Sequence, residues 1–266
     1  YLTEKQIDNG PILVDFDFRY NMSIKTRQHD EETIISIMDL YTEKLKKILN
    51  FDDDKEFPIY IFEKPSINIM KKEEIVKDGI HMIIGISMPH KVQSLLRDEV
   101  LKDIDSIGID LPLENNWDSV LDRGITEGYT NWQMYGSRKP NNEAYQLTKY
   151  YMARIDLNDG EFVINEMETS SIDVQYDLIK LSAQYSKHPA FEISESFKDK
   201  LNPNKKKKPK LKLKSINTNY DINDIKSVDD LDSALEHIIN TNDSYNFNRG
   251  SFSLKEIHGY VMLLPE

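Results

Sequence analysis

The stretch Pro11-Ile-Leu-Val-Asp-Phe-Asp-Phe-Arg-Tyr20 constrains this chain more than any other. Ile12, Leu13 and Val14 form an apolar run behind Gly10 and Pro11, which reads as a strand buried in a sheet. In a strand, residues i and i+2 share a face. Asp15 and Asp17 therefore leave one face side by side, while Phe16 and Phe18 turn to the other. Two carboxylates so spaced repel unless a cation sits between them. A hard divalent ion such as Mg2+ or Mn2+, which prefers oxygen ligands, answers that need. The competing reading is two exposed acids at a strand end, since Asp is a common loop residue.

Composition narrows the classes. The chain has 266 residues, enough for one large domain or a domain with an appendage. A hydrophobic content of 39%, with 14 Tyr and 10 Phe, supplies a sizeable core. There is no cysteine, which excludes disulfides, thiolate zinc sites and cysteine nucleophiles, and fits a reducing compartment. No stretch approaches the roughly 20 apolar residues of a membrane span, so no membrane partner is expected. No signal peptide is visible and the chain opens on Tyr, as a piece excised from something longer would. The net charge of −12 argues against a protein that coats nucleic acid. It leaves room for an enzyme that holds its substrate with a few local cations and metal ions.

Along the chain, apolar Ile34, Met38, Tyr41, Leu45 and Ile48 alternate steps of four and three, which predicts a helix from about Asp30 to Leu49. Phe57–Phe62 reads as a strand closed by Pro65. Lys77-Asp-Gly-Ile-His-Met-Ile-Ile-Gly85 reads as a second buried strand with one His embedded in it. Ser87 and Pro89 open a second helix carrying Val92, Leu96 and Leu101. Trp117–Asp122 is a third apolar approach ending in an acid, followed by a strand near Asn131–Tyr135 and a turn at Gly136–Pro140. Residues 145–185 mix strand-like and helical patterns, with a turn at Asp156–Gly160. Three parts are expected: a catalytic domain over 1–195, a Lys-rich linker over 196–226, and a helical segment over 227–266 that begins a truncated following domain. The linker assignment rests on Lys205–Lys208, Pro209, Lys210, Lys212 and Lys214, from which neither helix nor core can be built.

Four short motifs, in order, resemble those of the archaeo-eukaryotic primase–polymerase superfamily. The look is that of the branch at the N-terminus of the helicase–primases of poxviruses and other large nucleocytoplasmic DNA viruses. The motifs are Val14-Asp15-Phe16-Asp17, Gly79-Ile80-His81, Leu121-Asp122, and Asn131-Trp-Gln-Met-Tyr-Gly-Ser-Arg-Lys139 with Pro140. The resemblance spans residues 11 to roughly 150. It implies an α+β fold, with an RNA-recognition-motif-like catalytic sheet packed against a second αβ unit. It implies a DNA primase/polymerase, joining nucleotides on a template with release of pyrophosphate during DNA replication. Asp15, Asp17 and Asp122 match the family's ligands for a two-metal Mg2+ or Mn2+ site. Asp105, Asp110 and Asp118 compete for the third place, and the apolar Val120 and Leu121 favour Asp122.

The resemblance further implies that Lys77, Gly79 and His81, with Ser137, Arg138 and Lys139, bind the incoming nucleotide. Gly79 suits that task because glycine permits close backbone approach to a phosphate. A lone His in an apolar strand is otherwise a satisfied core residue, and Lys77 and Lys139 are otherwise solvated charges. One departure stands out: where relatives often carry two arginines, this chain has Thr130 and Gln133, leaving Arg123 or Arg138 as substitutes. The implied partners are a single-stranded DNA template, nucleoside triphosphates and a helicase domain in the same full-length chain. The implied setting is intracellular, in a host cytoplasm or viral replication site. No GxxxxGK[ST] ATPase motif occurs here. A two-metal nuclease and a non-catalytic single-stranded DNA-binding module are the rival functions.

Overall fold

The structure, a computed structural model, describes residues 1–51, 54–140 and 142–201. Its first half runs β1 (Thr3–Glu4), β2 (Gly10–Asn21), α1 (Glu31–Ile48), β3 (Leu49–Asn50), β4 (Phe57–Glu63), β5 (Asn68–Met70), β6 (Ile75–Met88) and α2 (His90–Asp103). There follow α3 (Trp117–Val120), α4 (Arg123–Thr126), β7 (Trp132–Gln133), β8 (Gln146–Ile155) and β9 (Phe162–Met167). The described part closes with α5 (Val174–Asp177), β10 (Glu192–Ile193) and α6 (Glu195–Leu201). Among the described residues no helix is long and apolar enough to cross a membrane.

The expected α+β class holds. Six strands form one antiparallel sheet in the order β2-β6-β4-β8-β9, with β5 also paired to β6. Alternation in β2 divides its side chains as the sequence implies. Ile12, Val14, Phe16, Phe18 and Tyr20 are buried against the helices. Leu13 packs into a second, smaller apolar cluster on the opposite face with Tyr60, Ile83, Ile125 and Trp132. Asp15, Asp17 and Arg19 continue along that opposite face.

α1 begins where its cap dictates. Asp30 accepts the Thr33 N–H at 2.9 Å, and Thr33 Oγ1 takes the Asp30 N–H at 3.4 Å, a reciprocal capping box. Glu31 and Glu32 occupy the first turn and Lys46 and Lys47 the last, each favourable to the helix dipole. The helix then buries Ile34, Met38, Tyr41, Leu45 and Ile48 against β2, where Tyr41 meets Phe16 edge-on at 6.4 Å. Each such side chain, taken from water, contributes about 1.5–3 kcal/mol. α2 starts at His90, and its Val92, Leu96 and Val100 complete that layer. Leu101 is only partly buried.

The two unresolved regions of the sequence reading come out differently. Residues 145–185 supply β8 and β9, joined by the expected turn, where the Gly160 N–H donates to the Asp156 carbonyl at 2.7 Å. The residues expected to begin the linker at 196 are helical instead. α6 runs to Leu201 because Phe197 is buried in the main core. The rest of that linker and the 227–266 segment lie outside the described residues.

Beneath the sheet, on the helix side, lies a charged cluster. Arg27 donates to Asp78 at 2.9 Å and to Glu63 at 2.9 Å, and His29 Nε2 lies 2.9 Å from Glu63 Oε1. Thr148 Oγ1 donates to the other Glu63 oxygen at 2.6 Å. Burial works to raise the Glu63 carboxyl, but His29, Thr148 and Arg27 outweigh it and hold the carboxyl below the usual range. A carboxyl lowered in the folded state stabilises above its unfolded value and loses that contribution as pH falls. We predict that the thermal midpoint drops as pH falls below about 4.5, the ordinary Glu value. Glu63→Gln should start from a lower midpoint at neutral pH and show a flatter decline, measurable by calorimetry across pH 3–7. An unchanged slope would remove Glu63 from the account.

Candidate functional site

The site is built on the pairing of β2 with β6. In its register Asp15 stands opposite His81, Asp17 opposite Gly79, and Arg19 opposite Lys77. Opposed residues in an antiparallel pair project to the same face. The face of the two aspartates is thus also the face of His81 and Lys77.

Asp122 reaches this face by a route not visible in the sequence. β2 is an edge strand, and the segment 113–122 covers it without forming a regular strand. Leu113 bridges Tyr20, and Leu121 bridges Phe16. Between them the Asn115 side chain stands in for a strand partner: its Nδ2 donates to the Asp17 carbonyl at 2.9 Å and its Oδ1 accepts the Arg19 N–H at 3.0 Å. Residues 117–120 leave the edge as one helical turn, α3. Arg97 of α2, itself 2% exposed, ties that turn down. Its guanidinium donates to the Leu121 carbonyl at 2.7 and 3.1 Å and to the Asp118 carbonyl at 2.6 Å. The Asp122 N–H then donates to the Asp15 carbonyl at 3.0 Å, which sets the two residues side by side. Asp118, a competitor for this place, pairs with Arg97 at 3.0 Å instead.

Asp15, Asp17, Lys77, His81, Asp122 and Lys139 line one pocket of about 340 Å³. Thr130 and Gln133 line it too, without charge. Each carboxylate commits one oxygen to a protein partner. Asp15 Oδ1 lies 3.5 Å from His81 Nε2, Asp17 Oδ2 accepts from Arg19 at 3.2 Å, and Asp122 Oδ1 accepts the Ile125 N–H at 3.1 Å as the cap of α4. Among the described residues no hydrogen bond or ion pair reaches the second oxygen of any of the three. That donor set, oxygen only, fits a hard divalent cation. No three carboxylate or imidazole groups among the described residues already close on a single point.

Electrostatics keeps the central carboxylate ionised. Burial works to raise the Asp15 carboxyl; His81, Lys139 and Lys64 outweigh it and hold it below the usual carboxylate range. His81 is packed on both faces, by Trp132 at 4.3 Å and by Tyr145 at 3.6 Å in a near-parallel stack. Only the imidazole edge is left to meet the pocket.

The nucleotide-binding set expected from the sequence is brought together only in part. Lys77, His81 and Lys139 share the pocket. Ser137 and Arg138 are not among its lining residues, and Ser137 Oγ accepts the Leu2 N–H at 2.6 Å. Gly136, at φ +74°, reverses the chain here; Arg138 and Lys139 are both exposed, and of the two Lys139 lines the pocket. Gly79 differs from expectation. It leaves no room for a phosphate: a Cβ there would lie 2.5 Å from the Phe16 carbonyl oxygen and 3.0 Å from the Tyr145 hydroxyl. The glycine is needed because β2 and Tyr145 crowd it.

Sequence reasoning missed Lys64, Tyr145, Tyr1 and Thr3, all of which line the pocket. The N-terminal pair arrives because β1 pairs with β7. A local signal existed only for Lys64, a cation just after the strand read at Phe57–Phe62.

We predict that Gly79→Ala destabilises the fold by about 1–3 kcal/mol through overpacking. Tyr145→Phe in the same chain should not restore it, because the Phe16 carbonyl stands nearer than the Tyr145 hydroxyl. Thermal midpoints of the two variants test this. An unchanged midpoint with weakened nucleotide binding would reinstate the phosphate-room reading.

Comparison with known proteins agrees with the geometry. Residues 1–151 match the family described as C962R protein N-terminal AEP domain, the initials standing for archaeo-eukaryotic primase. The chain is also similar to a protein of Acanthamoeba polyphaga mimivirus named "Putative helicase L207/L206", at 32% identity over 164 residues. That alignment takes in 60% of this chain and 17% of the mimivirus protein, so the chain spans a small part of that relative's length. With the family matched over more than half its length and the motif residues gathered on one sheet face, the chain belongs to the archaeo-eukaryotic primase superfamily, in the branch of the C962R N-terminal domain.

Proposed function

We propose that this chain is the primase–polymerase domain of a viral helicase–primase, and that it joins nucleotides on a single-stranded DNA template. One observation carries the reading: Asp15, Asp17 and Asp122 line the same pocket as His81, Lys77 and Lys139. Each of the three carboxylates keeps an uncommitted oxygen. The helicase link comes from the mimivirus relative, whose printed name speaks of a helicase.

Asp15, Asp17 and Asp122 would hold Mg2+ or Mn2+. Two such ions supply activation of a 3′-hydroxyl and neutralisation of a triphosphate. The remaining work falls to the chain itself. His81, clamped between Trp132 and Tyr145, presents its edge to Asp15 and fixes the orientation of that carboxylate. Lys77 and Lys139, which both line the pocket, would meet the phosphates. In the reaction the 3′-oxygen bonds to the α-phosphorus, the bond to the bridging oxygen breaks, and pyrophosphate leaves. A nuclease would share the acids but would have no use for a lysine-lined triphosphate pocket.

The test is primer synthesis by the 266-residue chain on single-stranded DNA with ribo- and deoxynucleotides, beside a labelled duplex. We predict primer synthesis, or extension of a supplied primer, and no duplex cleavage. Asp17→Ala and Asp122→Ala should each reduce synthesis by at least a hundredfold with the fold intact. A small stability gain from relieved repulsion is expected for Asp17→Ala. Duplex cleavage without synthesis would favour the nuclease. Template binding with neither activity would favour the non-catalytic module.

A further inference from the structure

Among the pocket residues, Lys64 helps to hold the Asp15 carboxyl low but belongs to none of the four motifs. It follows β4 directly and is half-buried at the pocket wall. Its Nζ lies 4.9 Å from the centroid of the Tyr145 ring, the ring that stacks on His81. Among the described residues it has no ion pair, although Asp15 and Asp17 are near enough for their charge to be felt. Lys149 and Lys180, partly buried like Lys64, each have a carboxylate partner. Lys64 is thus a cation kept unpaired inside a pocket.

Its position is also built. Arg27, anchored by Asp78 and Glu63, donates to the Lys64 carbonyl at 2.6 Å. The loop that follows is clamped to the loop carrying Lys139. Ser66 donates to Glu143 Oε2 from its N–H at 2.9 Å and from its hydroxyl at 2.6 Å. Asn68 Nδ2 donates to Asn142 Oδ1 at 2.8 Å, and the Asn142 N–H donates to the Lys139 carbonyl at 3.0 Å. Lys64 and Lys139 are therefore held as a pair by polar contacts that tie neither ammonium group. Burial and the charge of Lys139 push the Lys64 ammonium below the ordinary lysine range. Two neighbouring ammonium groups repel, which Asp15 and Asp17 offset only without an ion pair to Lys64, whereas a polyanion bound between them would offset it by direct contact. Thr130 and Gln133, on the same wall, bring no charge that could do this work.

We infer that Lys64 is a phosphate-binding residue of the nucleotide site, acting with Lys139 on the β- and γ-phosphates of the incoming triphosphate. This rests on the nucleotidyl-transfer reading above and adds to it a residue that the motifs do not contain. Lys64 recognises the number of phosphates and is indifferent to base and sugar.

The experiment compares the 266-residue chain with its Lys64→Ala and Lys64→Arg variants. Binding of dATP, dADP and dAMP in Mg2+ is measured by calorimetry, together with thermal midpoints and binding of a labelled single-stranded oligonucleotide. The structural bonds of this residue run through its backbone carbonyl, so both variants should fold with an unchanged midpoint. Loss of one charged contact to phosphate should weaken dATP binding roughly ten- to hundredfold in Lys64→Ala. It should leave dAMP within about twofold, and Lys64→Arg should recover most of the loss. Equal losses for dATP and dAMP, or unchanged dATP affinity, would overturn the inference. So would weakened oligonucleotide binding with dATP binding intact, which would make Lys64 a template contact. If the unsubstituted chain binds no triphosphate at all, the nucleotidyl-transfer reading falls first and this inference with it.

Discussion

The site depends on one register. β2 and β6 pair so that Asp15 faces His81, Asp17 faces Gly79 and Arg19 faces Lys77. Side-chain alternation in a strand has a period of two, so a slip of one residue would exchange the faces. Phe16 and Phe18 would then point into the pocket, and the two aspartates into the layer under α1. What forbids the slip is the burial of Ile12, Val14, Phe16, Phe18 and Tyr20, five apolar side chains committed to one face. The apolar core thereby fixes the position of the polar site, and the chemistry inherits its precision from packing on the far side of the same strand.

The third carboxylate depends on a different device. An edge strand normally presents unpaired backbone groups. Here the 113–122 segment satisfies them, partly through the Asn115 amide, and delivers Asp122 beside Asp15 in doing so. Arg97 holds the segment from behind, and its buried guanidinium is satisfied largely by the Leu121 and Asp118 carbonyls. The covering of a sheet edge and the placing of a functional acid are one structural act. Substitutions at Asn115 or Arg97, neither of which lines the pocket, should therefore act on the site through Asp122.

Much of this was readable in the sequence because it was local. Alternation across Ile12–Tyr20 and the spacing of Ile34 to Ile48 are short-range signals, and each produced the element expected. The motif residues Asp15, Asp17, His81, Asp122, Lys77 and Lys139 were legible through resemblance and do share a pocket. What escaped depends on contacts between distant segments. Nothing near Gly79 announces that Tyr145 will lie over it, so the glycine was read as room for a ligand when it is room for the protein. Ser137 and Arg138 were carried along with Lys139 by adjacency, but of the three Lys139 alone lines the pocket. Ile193, Phe197 and Leu201 recur every four residues, but three apolar positions in so short and polar a stretch gave too little pattern to extend the domain to Leu201.

Charge balance then bears on how the pocket works. The chain as a whole carries −12, so a nucleotide approaching it meets a repelling field at long range. Screening confines that field to about 8–10 Å at physiological salt, and inside that distance the pocket decides. There, Asp15, Asp17 and Asp122 are matched by Lys64, Lys77 and Lys139. Asp78 is neutralised from beneath by Arg27. A pocket so balanced neither attracts nor rejects a polyanion strongly by net charge. Binding of the proposed nucleotide would come from how the charges are arranged, with the lysines free of ion pairs among the described residues and the carboxylates each half committed. Under the function proposed above, the same balance would make the site selective: an anion that reached the lysines without neutralising the carboxylates would gain little. The proposed substrate, a triphosphate accompanied by divalent cations, would satisfy both sets at once.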